Sequence, residues 1–142
     1  MGALKEKFWK DAIQEYSKRL NGLCKLEIIE LTESTHPDID TKLSQEYTTW
    51  QKALQNINGK KIILDPLGKA VDSSQFSKIL TQDSTTTFLI GSSNGFLEKL
   101  KSEVDHIISF GNITLPHQLF RVVLVEQIYR GFMIKEGRAY HK

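Results

Sequence analysis

The sequence predicts an α/β domain, a mostly parallel sheet flanked by helices. Three observations carry this. Apolar stripes at helical spacing alternate with short apolar runs along the whole chain. The runs Lys61–Asp65 (KIILD) and Thr86–Ile90 (TTFLI) each hold three consecutive apolar residues, the pattern of strands covered on both faces. The chain has 142 residues, 39% hydrophobic and 25% charged, which suits one domain over residues 1–142 with a sizeable core. No repeat, low-complexity segment or linker interrupts it.

Leu4 to Leu20 is predicted as a helix, because Phe8, Ala12, Ile13, Tyr16 and Leu20 recur on one face and Asn21-Gly22 can stop it. Lys25–Leu31 (KLEIIEL) is predicted as a strand. Thr32–Asp40, polar and carrying His36-Pro37, is predicted as a loop. A second helix runs from about Thr41 to Ile57, with Leu43, Tyr47, Trp50, Leu54 and Ile57 as its stripe and Asp40 as its cap. KIILD follows as a strand, broken by Pro66-Leu67-Gly68. Ser73 can cap a short helix bearing Phe76, Ile79 and Leu80. After the strand Thr86–Ile90 comes a glycine turn, with Ser93 or Asn94 as the cap of a helix striped by Phe96, Leu97, Leu100 and Val104. His106–Phe110 is a further short strand, Gly111–Pro116 a loop, and His117–Lys135 a long, unusually apolar helix. The pattern opens on a helix where a strand is expected, so a first strand is missing from it.

Composition excludes several classes. No apolar run approaches the roughly 20 residues that span a bilayer, and the N-terminus has no apolar signal region, so a cytoplasmic protein is expected. Cys24 is the single cysteine, which rules out a disulfide within the chain; flanked by Leu23 and Leu26, it reads as a small core residue. No His, Cys, Asp and Glu cluster has metal-ligand spacing, so no metal site is expected. Net charge is only +2, but bases gather near the C-terminus: Arg121, Arg130, Lys135, Arg138 and Lys142 against Glu126 and Glu136. That face suits either solvent or a phosphate backbone. Arg130, four residues after Glu126, also suits an ion pair along the helix.

The turn Gly91–Phe96 (GSSNGF) follows a strand, as ligand-binding turns do. It lacks the spacing and lysine of a P-loop and the third glycine of a dinucleotide fingerprint. Alone it favours a tight turn without a ligand. A second loop, Phe110–Pro116 (FGNITLP), and an apolar Leu64-Asp65-Pro66 also leave strand ends. Ligands of open α/β sheets sit at such ends. Together the three loops suit a flat, uncharged heterocycle such as an adenosine without phosphates. Backbone groups would read its edge, and Leu64, Ile113 and Leu115 would sandwich its faces.

At these residues the sequence resembles a known family. LKEKFWKDAIQEYSKRL near the start, IILD at Ile62–Asp65, FLIGSSNG at Phe88–Gly95, ISFGNITLPHQLFRVVLVEQIYR at Ile108–Arg130 and the ending RAYHK resemble the SPOUT class of RNA methyltransferases. Within that class they are similar to the small RlmH-type family, which methylates N3 of a pseudouridine in bacterial 23S rRNA. The likeness covers nearly the whole chain. It implies a deep trefoil knot in the C-terminal part, one of the rare exceptions to unknotted topology. It implies S-adenosylmethionine as cofactor, held by Leu64, Gly91, Phe110, Gly111, Asn112, Ile113, Thr114 and Leu115. It also implies a homodimer, the tail of one subunit reaching the partner's cofactor pocket, and 23S rRNA within the ribosome as partner. Family members begin with a short apolar strand before the Gly-x-Leu-Lys-Glu-Lys segment; here Met1-Gly2 stands almost where that strand would end. The loss of an inner strand would leave an open seam.

With the resemblance, His141 is the first candidate to assist removal of the N3 proton, and Tyr140 is placed to stack on or hydrogen-bond the base. Arg121, Arg130, Arg138 and Lys142 become candidates for RNA phosphates. His117, at a helix start, is expected to cap or orient the preceding loop, and His36 and His106 are incidental. Two rival readings remain at this stage: a non-catalytic rRNA-binding or ribosome-assembly factor, and a nucleotide-binding α/β protein of another kind.

Overall fold

The computed structural model describes all residues, Met1–Lys142. Eight elements follow in chain order: α1 (Lys7–Leu20), α2 (Ile39–Leu54), β1 (Lys60–Ala70), α3 (Ser73–Thr81), β2 (Thr86–Ile90), α4 (Glu98–Lys101), β3 (His106–Ser109) and α5 (His117–Lys135). The strands form one parallel sheet in the order β2-β1-β3, as the alternating pattern predicts.

Strand alternation divides the core into two layers. Ile62 and Leu64 of β1, with Ile108 of β3, point to the layer covered by α1, α3 and α5. Ile63 of β1 and Leu89 of β2 point to the other, closed by Tyr47 and Trp50 of α2 and Leu100 of α4. Ile62, Ile63 and Leu89 are fully shielded from solvent, which is why these runs read as apolar without alternation.

The apolar character of α5 has the same kind of cause. Leu124, Val125 and Ile128 enter the core under the sheet. On one flank Tyr129 meets Tyr16 of α1, ring centroids 6.3 Å apart. On the other the Ser77 hydroxyl of α3 donates to the Gly131 carbonyl at 2.6 Å. A Cβ at Gly131 would lie 2.9 Å from Leu80, so the glycine allows α3 and α5 to approach this closely.

Several expectations need correction. β1 does not end at Asp65. It resumes after an irregularity, since Leu64 and Lys69 both pair with Ile108, and residues 65–68 bulge outward with Leu67 exposed. Gly68 makes this possible, because a side chain there would press on the Ile108 backbone at 2.8 Å. The cap of α2 is Asp38, whose Oδ2 accepts from the Thr41 amide, rather than Asp40. The cap of α3 is Asp72, in a reciprocal box with Gln75; Ser73 instead donates to Gln127. α4 is a single turn whose N-cap, Leu97, makes no side-chain bond, so neither Ser93 nor Asn94 caps it.

The largest correction is Lys25–Leu31, which joins no ladder. An amphipathic strand needs a neighbour to take its backbone bonds, and no strand precedes α1. What stands there is the N-terminus itself. The Met1 ammonium donates to the Ile90 carbonyl at 2.7 Å, and the Gly2 amide donates to the Leu31 carbonyl at 2.8 Å. Two residues thus bridge the end of β2 and the end of the 25–31 segment. Ile28 and Ile29 remain exposed, and the Thr86 hydroxyl is buried without a partner.

This arrangement has a pH signature. Burial, and next the Arg121 charge, lower the Met1 amine from 8.0 to about 6. The folded state therefore holds this proton less tightly than the unfolded chain. Stability should rise with pH between about 6 and 8, by at most about 2–3 kcal/mol. Urea unfolding at pH 6, 7 and 8, with Met1 in place, checks this; acetylation of the amine should flatten the slope.

Candidate functional site

A parallel sheet gathers its carboxyl ends on one side. Here Leu64 is in register with Ile90 on one neighbour and Ile108 on the other. The three loops singled out from the sequence, Leu64–Pro66, Gly91–Phe96 and Phe110–Pro116, therefore leave the sheet from one level and side by side.

Two of these loops are shaped by their glycines. Gly91 is buried, and a Cβ there would meet the Gly95 carbonyl oxygen at 2.8 Å and the Phe96 ring at 3.0 Å. Gly95 takes φ +77° and closes the turn, its amide donating to the Ser92 carbonyl at 3.0 Å. Gly111 takes φ +120°, and the Ser109 hydroxyl straps it by donating to its carbonyl and accepting from its amide. Beyond this strap, the amides of Asn112, Ile113, Thr114 and Leu115 donate to nothing in the protein. These are four consecutive unpaired donors, and Leu67, next to Pro66, and Ile113 are exposed.

A carboxylate that the sequence reading missed supports the turn from below. Glu46 is only 3% exposed, and it accepts from the Ser92 hydroxyl at 2.8 Å and from the Ser34 amide at 3.1 Å. Its signal was present: Glu46 lies three residues after Leu43, on the apolar stripe of α2. Phe110 packs edge-on against Phe76, centroids 5.1 Å apart, and borders a cavity of about 320 Å³ with Val71, Val123 and Gln127. Leu64 and Gly91 do not line that cavity. A larger one, about 470 Å³, lies near Lys61 at the opposite end of β1, among polar side chains of α2, and is remote from the loops.

The cationic candidates separate. Arg121 is buried, which corrects its assignment to RNA. Its guanidinium pairs with Glu30 at 2.9 Å and donates to the carbonyls of Met1 and Gly2. Arg130 is committed to Glu126 at 2.6 Å, as the four-residue spacing allows. Arg138 is exposed, beside Glu136, and Lys142 is exposed. His117 makes no capping bond; Pro116 is the N-cap of α5, and the imidazole lies near Gly2. Burial pushes the Cys24 thiol up, away from the reactive range.

The tail folds back along its own helix. Gly137, at φ +65°, reverses the chain after α5. Tyr140 then stacks edge-on against Tyr129 at 4.9 Å, and its hydroxyl donates to Glu126 at 3.1 Å. The Arg130 guanidinium lies 4.7 Å from the Tyr140 ring centroid, and its Nη1 is 3.5 Å from His141 Nδ1. Tyr140 and His141 are thus together, but Glu126 is about 15 Å along the helix axis from Pro116, where the third loop ends.

A parallel sheet flanked by helices, with glycine-shaped loops at one end, is consistent with the α/β class that the sequence resemblance implies. Comparison with known families agrees. Residues 1–141 match the family model described as a predicted SPOUT methyltransferase, and the chain belongs to that family. The relatives share one name. The chain is 46% identical to Ribosomal RNA large subunit methyltransferase H of Clostridium botulinum (strain Okra / Type B1), over 100% of this chain and 96% of that one. It is 41% identical to the protein of the same name from Streptococcus sanguinis (strain SK36), with the same coverage.

Proposed function

We propose that this chain is an S-adenosylmethionine-dependent methyltransferase acting on N3 of a pseudouridine in 23S rRNA of the bacterial ribosome. The observation that carries the reading is the shared level of three strand-end loops with unpaired amides at 112–115, in a chain belonging to a methyltransferase family. Leu64, Gly91 and Phe110–Leu115 would hold the cofactor. When bound, it supplies a methyl group made electrophilic by a sulfonium.

The protein's task is then placement and proton removal. N3–H of a pseudouridine is weakly acidic, so its anion needs a base or a positive field. His141 is the tail group for this, with Tyr140 beside it to stack on or hydrogen-bond the base, and Arg138 and Lys142 on RNA phosphates. His141 Nδ1 lies 3.5 Å from Arg130 Nη1; in the tautomer that accepts there, Nε2 carries the ring hydrogen, so His141 would take up a proton through Nδ1 once it turns from Arg130.

The family reading also carries a trefoil knot in the C-terminal part and a homodimer. The separation of the tail from its own loop supports the dimer: a second copy would bring a tail to each pocket. Exposed Leu67 and Ile113 give such a partner, or the ligand, apolar surface to cover.

The test is S-adenosylmethionine titration by calorimetry, followed by methyl incorporation into intact ribosomes and into free large subunits, with the site mapped. Binding and incorporation at a single pseudouridine are expected. RNA binding without cofactor binding would leave the assembly-factor reading in its place.

A further inference from the structure

We propose that Glu126 is the positioning residue of the C-terminal tail, fixing Tyr140 and Arg130, and through them His141, on the flank of α5. The inference rests on the methyltransferase reading for its consequence, but its geometry stands alone. Glu126 Oε1 accepts from Arg130 Nε at 3.0 Å, from Arg130 Nη2 at 2.6 Å and from the Tyr140 hydroxyl at 3.1 Å. Oε2 accepts from Gln127 Nε2 at 2.7 Å. One carboxylate thus gathers a helix cation and a tail phenol, and its donors leave it little freedom to turn.

A helical ion pair of spacing four needs no third member and, when exposed, contributes little. Glu126 and Arg130 are different. Their side chains keep 17% and 25% of their exposure, and the tail covers them. The chain is led there deliberately. Gly137 reverses it, the Arg138 amide returns to the Met133 carbonyl at 2.9 Å, and Tyr140 comes to lie against Tyr129 at the level of Glu126. The outcome is a rigid platform in which only the two last residues, His141 and Lys142, project beyond the anchored ring.

The anchored phenol also has a fixed chemical state. Burial first, then hydrogen bonding with Tyr16 and Glu126, push Tyr140 up to about 12. It remains an O–H donor throughout any assay range. Tyr140 is then a strut for the tail, and the proton chemistry falls to its neighbour.

The experiment compares the wild type with Glu126→Ala, Glu126→Gln and Tyr140→Phe. Trypsin cleavage after the exposed Arg138, followed by mass spectrometry as loss of residues 139–142, reads tail docking without substrate. Cleavage is expected to quicken about tenfold in Glu126→Ala and Tyr140→Phe. Turnover of Glu126→Ala on ribosomes is expected to fall about 10–100-fold, with KM for S-adenosylmethionine within about twofold. Glu126→Gln keeps an acceptor for Tyr140 and should recover part of both. The Tyr140 phenol, assigned by difference with Tyr140→Phe, should titrate lower in Glu126→Ala. Wild-type cleavage rates in Glu126→Ala overturn the proposal, whether turnover is kept or lost. If Glu126→Ala does not fold, wild-type cleavage in Tyr140→Phe overturns it equally. If the wild type itself transfers no methyl group to ribosomes, the reading of function fails, while the tryptic rates still decide the role of Glu126.

Discussion

Gly91→Val is expected to abolish binding of S-adenosylmethionine, with a loss of affinity on the order of 100-fold or more. The reason is local. The first atom of any side chain at this position would sit 2.8 Å from the Gly95 carbonyl oxygen and 3.0 Å from the Phe96 ring. The carbonyl belongs to the turn's own backbone and cannot swing aside. Phe96 is held by Trp50, 5.8 Å between centroids, within the second core layer. The turn must therefore open, which moves its backbone away from the level of Leu64. Gly95→Ala is the informative companion. Gly95 has nothing within 4 Å of a built Cβ but has φ +77°, so its variant is strained without a clash. It should keep measurable binding. Calorimetry on both variants decides the matter, and normal affinity in Gly91→Val would place the pocket elsewhere.

His141→Ala is expected to leave cofactor affinity within about twofold and to lower methyl transfer about 10²–10⁴-fold, the range for loss of a positioned acid–base group. The side chain is exposed and its polar neighbour is Arg130 at 3.5 Å, so its removal should not cost stability. That separates it from a packing defect. Single-turnover methylation of ribosomes with saturating cofactor is the measurement. Wild-type turnover would remove His141 from the chemistry and leave the tail as an RNA contact.

The parallel sheet and the long C-terminal helix were legible because burial on both sides leaves a mark that local sequence cannot hide. Ile62 to Leu64 and Phe88 to Ile90 have no polar alternative to offer. The three strand-end loops were legible for the same reason, since each begins where an apolar run stops. The orientation of α5 was not legible. A helix apolar on every side gives no preferred face, and only its contacts with α1, α3 and the sheet tell Arg121 from Arg130. Arg121 read as a solvent-facing cation, yet it anchors Glu30, Met1 and Gly2, which are distant in sequence. Lys25–Leu31 failed in the opposite sense. Its pattern is that of a strand, but pairing is a property of two segments, and its neighbour is a pair of N-terminal residues. The continuation of β1 past Pro66 was hidden because a proline normally ends a ladder, and here the chain bulges around it before pairing again.

The outer side of β2 has a practical corollary. Apart from the bond at Ile90, its outward-facing backbone groups find no protein partner, and unsatisfied rims of this kind template growth by further chains. Colloidal behaviour should therefore follow that rim. Concentrated solutions are expected to turn cloudy by edge-to-edge stacking, and a charge on the rim itself, Thr87→Lys, should clear them, as light scattering across a dilution series will reveal.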